Sequence, residues 1–236
     1  MPGPSDLPPR TEADSIGPLD IPAGNYWGVQ TLRSTQNFPF TSPAALMPHE
    51  IIVSQCIVKK CAAQYNKLHG KLSATIADAI ITVADEVISN SADIPLSQFP
   101  LTIYQTGSGT QTNMNCNEVL AARATHILSK FDATAVGNKD SPHFVHPNDH
   151  VNMGQSSNDS FPTAMHIACA TALLNVTIPG LTRLWESLKR KSEEYDNVIK
   201  IGRTHCQDAT PLTFGQVSNQ SHSHPPPHMH VWAPTQ

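Results

Sequence analysis

The sequence predicts an all-α, mainly helical fold, and three observations predict it. Apolar residues recur three and four positions apart in several long windows. Those windows are bounded by prolines, glycines and capping residues of the kind that start and stop helices. Strand signals are few, and no tandem repeat at a solenoid period is present.

The elements follow in order. Residues 1–45 hold many turn formers and few periodic apolar positions, so they read as an arm or irregular segment. From Pro48 the pattern turns helical: Val53, Ile57, Cys61, Tyr65 and Leu68 form a stripe, Pro48 suits the first turn and Gly70 the stop. Ile76, Ile80, Val83 and Val87 form a second stripe. Residues 97–112 read as loop. Asn115 then opens a third helix through an Asn115-x-x-Glu118 capping box, and Leu120, Ala124, Ile127 and Leu128 continue it. A second loop runs from Phe131 to about Asp159. Pro162 starts a helix with Met165, Ala168, Ala172, Leu173 and Val176 on one face. Pro179 starts another, with Leu181, Leu184, Trp185, Leu188 and Tyr195. Residues 198–201 are the best short strand. After Gln216 the stripes end, and the last segment holds four of the twelve histidines in a Pro-rich setting. Such a composition buries too little surface to fold alone, so 217–236 reads as a disordered tail.

Composition narrows the function. A chain of 236 residues can bury a sizeable core in one or two domains. A net charge of −4 without basic runs does not suggest a nucleic-acid surface. No apolar stretch reads as long enough to span a bilayer, and residues 1–10 show no targeting signal. The five cysteines are odd in number and form no C-x-x-C pair, which fits reduced, mostly buried thiols in an intracellular protein.

Three polar clusters carry the chemistry. The first is Gly107-Ser108-Gly109-Thr110-Gln111-Thr112-Asn113. The second is His146-Pro147-Asn148-Asp149-His150, followed by Gln155-Ser156-Ser157-Asn158-Asp159. The third is Gly202-Arg203-Thr204-His205-Cys206-Gln207-Asp208. Hydroxyl- and amide-rich loops at helix N-termini suit anions, because free N–H groups and the positive dipole end point at the ligand. A carboxylate held there can take up negative charge as a neighbouring carbon loses its proton. His205, beside Thr204, is the group able to move that proton near neutral pH. The competing reading of each cluster is plain helix capping. The first loop has neither the third glycine of a dinucleotide fingerprint nor the Gly-Lys-Ser/Thr of a phosphate loop. His146 and His150, and the His222/His224 and His228/His230 pairs, have metal-like spacings. Pro147 argues against a helix that would present the first pair together, and no metal is expected.

Long segments extend this reading. GSGTQTNMNCNEVLAARA, HPNDHVNMGQSSNDSFPTAMHIA, GRTHCQDATPLTFGQ and IPAGNYWGVQTLRSTQNF closely resemble segments of the class II fumarases, in the fumarase/aspartase superfamily. The resemblance runs from about Ile16 to Gln216. Ser156 to Asp159 reads SSND, and Thr204 is followed by His205, which favours the fumarase branch over the aspartases. The resemblance implies reversible hydration of fumarate to L-malate in the tricarboxylic acid cycle, without a cofactor, by a homotetramer whose sites draw on three subunits. It implies that Ser108, Thr110, Ser156, Ser157, Asn158 and Thr204 bind substrate. His205 is implied as the acid/base group working through a water, and His146, Asn148 and Asp149 as a peripheral dicarboxylate site. By the same resemblance 1–147 is an N-terminal lyase domain and 148–216 the first part of a central helical bundle. A cytoplasmic location is expected, with mitochondria the other compartment in which fumarases work.

The family's Gly-Ser-Ser-x-x-Met-Pro-Gly-Lys-x-Asn loop, with its base serine and substrate-binding Lys and Asn, does not occur in these residues. The resemblance therefore implies a truncated chain that is inactive alone. The alternative from another class is a non-catalytic fragment or interaction protein. Gly154 and Cys206 stand where the family has Ser and Leu.

Overall fold

The structure, a computed structural model, describes residues 7–40 and 42–217. The expected tail lies outside the described residues from 218 onward, and with it the four tail histidines. The described chain divides into two compact units, one up to Cys169 and one from Ala170.

The first unit opens with an antiparallel hairpin, β1 (Arg10–Ala13) and β2 (Pro18–Ile21), in the register Arg10↔Ile21 to Ala13↔Pro18. The sequence reading of 1–45 as irregular misses it, because the strands are only four residues long and half of their residues are polar. Asp14 closes the turn by accepting from the N–H groups of Ile16 and Gly17, at 2.9 and 3.2 Å. Its two oxygens also take the Arg33 guanidinium, at 2.8 and 2.9 Å. That guanidinium, with the turn amides, holds the Asp14 carboxyl at about 2.

Helix α1 (Val29–Asn37) follows. Its start depends on a residue far along the chain. Glu118 accepts from the N–H groups of Gly28, Gln30 and Thr31 at 2.9, 2.8 and 3.1 Å, and from the Thr31 hydroxyl at 2.7 Å. The expected Asn115–Glu118 capping box is therefore not formed. Glu118 caps a different helix, and Asn115 is buried inside its own, donating to the Gln98 carbonyl at 3.1 Å. Burial pushes the Glu118 carboxyl up, against the pull of those four hydrogen bonds.

The core of this unit is three helices: α2 (His49–Leu68), α3 (Ala74–Ile88) and α4 (Thr110–Leu128). The α3 stripe is buried as expected, at Ile76, Ile80, Val83 and Val87. Each such side chain contributes roughly 1.5–3 kcal/mol when removed from water. Ser73 caps α3 by accepting from the Ile76 N–H. In α4, Leu120, Ala124 and Leu128 face the same core. The α2 stripe is corrected. Tyr65 is 62% exposed and Leu68 81% exposed, while the buried face is Ile52, Gln55, Cys56, Lys59, Ala63 and Asn66. Periodicity found the helix but chose the wrong side, because half of the buried face is polar.

Arg123 of α4 is buried and grips Glu86 of α3 through two hydrogen bonds, at 2.9 and 3.0 Å. A third N–H reaches the Tyr26 hydroxyl at 3.2 Å. Burial opposes the charge, but Glu86 and Tyr26 outweigh it and the guanidinium is held more firmly protonated.

Helix α5 (Ser157–Ala172) starts five residues before the expected Pro162, which lies inside it. The intrahelical ladder has already begun at the Ser160 N–H, which bonds the Ser156 carbonyl at 3.0 Å, so Pro162 leaves the Asn158 carbonyl without its i+4 donor. The second unit contains a π-helical turn at Leu173–Thr177, α6 (Ile178–Glu194) with Pro179 in its first turn, and a hairpin of β3 (Ile199–Thr204) and β4 (Gln207–Thr213). Its Ser192 hydroxyl donates to the Gly215 carbonyl at 2.8 Å. Leu174, Val176, Leu181 and Leu184 are exposed in it.

The expectation that no apolar stretch reaches membrane length needs correction. Helical residues Ser157–Glu194 contain an 18-residue window of mean hydropathy 1.4. Residues 161–178 hold no Asp, Glu, Lys or Arg, their polarity coming from Thr, His and Asn instead. A core helix that packs against bundle partners passes the same length and composition test.

Replacing Glu118 should unfold α1's start. Glu118→Ala is expected to cost about 3 kcal/mol in urea unfolding, and Glu118→Gln, which keeps one acceptor oxygen, about half as much. An unchanged midpoint for both variants would contradict this cap.

Candidate active site

The first polar cluster forms the entry to α4. Gly109 is its N-cap residue, left-handed at φ 68°. A side chain there would be strained by that backbone and would also collide with the Phe161 ring of α5. Gly109 thus lets the N-terminal turns of α4 and α5 approach each other.

A run of hydroxyls follows from this approach. Thr106 donates to Gln111 Oε1 at 2.6 Å, and its oxygen lies 3.2 Å from Ser108 Oγ. Ser108 Oγ is 3.1 Å from Thr110 Oγ1, which is 3.0 Å from Ser157 Oγ. Two loops 47 residues apart are joined through side-chain oxygens. Thr106, Ser108, Thr110, Gln111, Met114 and Gln30 of α1 line an open cavity of about 310 Å³.

Helix capping accounts for some of these side chains and not for others. The α4 entry is capped by Gln105, whose Oε1 accepts from the Thr112 N–H and hydroxyl, both at 3.0 Å. Ser108 and Thr110 do not cap their helix and keep their hydroxyls at the surface. Ser156 does act as a cap, its Oγ accepting from the Asn158 N–H at 3.2 Å. The two readings thus divide between residues of one site.

His146, Asn148 and Asp149 lie in a separate turn. Residues Pro147–Val151 form one π-helical turn, so the expectation that Pro147 excludes a helix fails: Pro occupies the first position, where no N–H is needed. His146 Nδ1 accepts from the N–H groups of Asn148 and Asp149, at 3.2 and 3.1 Å. The same nitrogen lies 3.2 Å from Asp149 Oδ2. His150 Nδ1 accepts from the His146 N–H at 2.9 Å. Among the described residues no group of three or more His, Cys, Asp or Glu could hold a metal.

Thr204 and His205 belong to the second unit. Thr204 ends β3 and pairs with Gln207, and the two-residue turn between them is His205-Cys206, at φ 50° and 61°. Two positive φ values are what a tight hairpin turn needs, and non-glycine residues adopt them at a cost. Both side chains are exposed. The third cluster therefore sits on a hairpin tip and not at a helix start.

The structure brings Ser108, Thr110 and Ser157 together, with Ser156 and Asn158 in the same turn as Ser157. Sequence reasoning missed Gln30, Thr106 and Met114 as lining residues. Thr106 adjoins the first cluster and carried the same signal, while Gln30 arrives only through the Glu118 cap. It also missed the polar floor behind the site: Gln55, Lys59, Asn113, Asn152 and Ser160 are linked by hydrogen bonds of 2.7 to 3.3 Å.

A larger cavity, about 500 Å³, is lined by Pro39, Phe40, Ser42, Ala44, Ala45 and Tyr104. It has no charged group and no link to the hydroxyl run.

A family model described as lyase matches residues 17–224. The chain belongs to the lyase family. Within it, the chain is 51% identical over 207 residues to a class II fumarate hydratase of Bradyrhizobium diazoefficiens, covering 88% of this chain and 41% of that protein. It is 51% identical to the mitochondrial fumarate hydratase of Danio rerio, over 88% of this chain and 38% of the relative. The class II fumarase structure from Schistosoma mansoni superposes with a TM-score of 0.78 at 44% identity, over 91% of this chain and 43% of that one. A fumarate lyase:delta crystallin structure from Brucella melitensis gives 0.78 at 36% identity, over 91% and 47%. The resemblance to class II fumarases is borne out. The chain spans about two-fifths of the length of the curated relatives it matches.

The π-helical turn should respond to acid. Burial, with the neighbouring His146, lowers the His150 pKa below its usual 6.5. The folded state then binds fewer protons than the unfolded one, so stability is fully present above pH 6.5 and is lost as pH falls through the folded value. Ring NMR should show His150 titrating below 6.5, with faster amide exchange across 147–151 at lower pH; titration above 6.5 would refute the assignment.

Proposed function

We propose that these residues carry part of a fumarate hydratase site, one that binds fumarate or L-malate for reversible hydration in the tricarboxylic acid cycle. The observation that carries the reading is the Ser108–Thr110–Ser157 hydroxyl run, exposed at two helix entries and not used in capping. Hydroxyl donors and helix N–H groups complement a carboxylate without fixing it as an ion pair. They can therefore strengthen as charge moves onto that carboxylate.

In this reading Ser108, Thr110, Ser156, Ser157 and Asn158 hold substrate, and Thr204 adds a further contact. In the malate-to-fumarate direction a base removes a C3 proton, and the electron pair moves into the adjacent carboxylate to give an aci-carboxylate. The pair then returns to form the C2–C3 double bond as the C2–O bond breaks. His205, acting through a water, supplies the proton with which the departing hydroxide leaves as water. His146, Asn148 and Asp149 form a peripheral dicarboxylate site. No metal or cofactor takes part.

The reading also divides the chain at residue 147, between an N-terminal lyase domain and the first part of a central helical bundle. The working enzyme is a homotetramer, cytoplasmic or mitochondrial. A second reading, a non-catalytic fragment or interaction protein, is favoured by one observation: Leu174, Val176, Leu181 and Leu184 are left exposed. The two readings agree on the 236 residues taken alone, because the base-bearing loop of the resemblance is not among them.

The 236-residue chain is expected to bind fumarate without measurable hydration, and Ser157→Ala to weaken that binding about tenfold. Absence of binding would sink the dicarboxylate site. Turnover that disappears in His205→Ala would show instead that a base exists within these residues.

A further inference from the structure

Lys59 lies in the middle of α2 and is completely buried. A buried ammonium ordinarily pairs with a carboxylate, since desolvation of an unpaired charge is expensive. This one bonds two side-chain amides instead: Asn113 Oδ1 and Asn152 Oδ1, both at 2.7 Å. The titratable groups acting on it are two thiols, Cys56 from α2 itself and Cys116 from α4.

Both amides are shared. Asn113 Oδ1 also accepts from Gln55 at 2.9 Å and from the Ser160 hydroxyl at 3.2 Å. Asn152 Oδ1 also accepts from Asn113 Nδ2 at 3.2 Å and Asn117 Nδ2 at 3.3 Å, and Asn152 Nδ2 donates to the Gln155 carbonyl at 2.9 Å. Asn113 stands three residues after Thr110, and Ser160 three residues after Ser157, so each lies one helical turn behind a hydroxyl of the site. The ammonium therefore grips one amide that belongs to the first turn of α4 and is itself bonded to the first turn of α5.

We propose that Lys59 is a positioning residue for the dicarboxylate site: by holding Asn113 and Asn152 it fixes the entries of α4 and α5, so that Ser108, Thr110 and Ser157 face one dianion with a buried positive charge behind them. This rests on the fumarate reading of the same site. Physical need supports it. The side chains lining the cavity are neutral, and at its α1 wall the Glu118 carboxylate accepts from the Gln30 N–H with no cation beside it among the described residues, while Asp14, on the Gln30 side chain, is paired with Arg33. A dianion entering there meets negative charge on that side. A cation without a carboxylate partner, screened little by water, offsets it.

Burial lowers the Lys59 pKa to about 8, with the two thiols acting the other way. A bound dianion favours the protonated form, so affinity is full below that value and falls as pH rises through it.

The test is calorimetric titration of fumarate into the 236-residue chain and two variants, from about pH 6.5 to 9.5, with circular dichroism to confirm folding. Wild type should lose about tenfold in affinity across pH 8. Lys59→Met should bind about tenfold more weakly at neutral pH and show no such fall. Asn152→Asp places a carboxylate against the ammonium and should move the fall to higher pH. A purely structural lysine would leave a wild-type affinity that ignores pH in this range, and such a result overturns the proposal. If Lys59→Met does not fold, the other two proteins decide: the same fall at the same pH in both would also overturn it. Failure of wild type to bind fumarate at every pH would remove the dicarboxylate reading and this proposal together. Binding that is indifferent to pH and to Lys59 would remove only the proposal.

Discussion

A charged amine with no exposure to water must be surrounded by acceptors, and this requirement organises the first unit. The Lys59 ammonium takes its acceptors from α4 and from the 152–155 turn. It thereby commits α2, α4 and the segment before α5 to one arrangement. The α2 face that packs inward is consequently mixed, with Gln55, Lys59 and Asn66 among Ile52, Cys56 and Ala63. Apolar packing by α3 and α4 supplies the bulk of the burial, but it does not say where the two loops must stand. A polar network with directional bonds does.

The second constraint is the close approach permitted by Gly109. With no Cβ and a left-handed backbone, it admits the Phe161 ring at the helix entry. Thr110 and Ser157 then meet at 3.0 Å. The same helix, α4, also reaches in the other direction: Glu118 fixes the start of α1 and so places Gln30 at the cavity. One helix thus builds three sides of the site, through Ser108 and Thr110 at its start, Asn113 one turn later and Glu118 about one and a half turns after that.

What was legible in the sequence depended on whether the signal was local. The α3 stripe, the Ser/Thr-rich loops and the strand at 198–201 were all readable, because each is a pattern within a few residues. The α4 start was misread because Asn115 and Glu118 have capping-box spacing while their partners lie elsewhere. The inward face of α2 was missed because half of it is polar: Lys59 carries no apolar signal, and nothing local separates it from Lys60, which pairs with Asp85 at the surface. The β1–β2 hairpin was invisible because its stability comes from Asp14, Arg33 and the turn amides and not from an apolar run. Gln30 had no signal at all, since its place depends on a carboxylate 88 residues away.

The claim on which everything else depends is that two loops, one before α4 and one before α5, form a single anion site. It can be examined directly by titrating fumarate into the isotope-labelled chain and following backbone amide NMR shifts. The account predicts that the amides of 109–111 and 157–159 move together and saturate with one common affinity. Shifts confined to one loop, two unrelated affinities, or movement only elsewhere in the chain would contradict it.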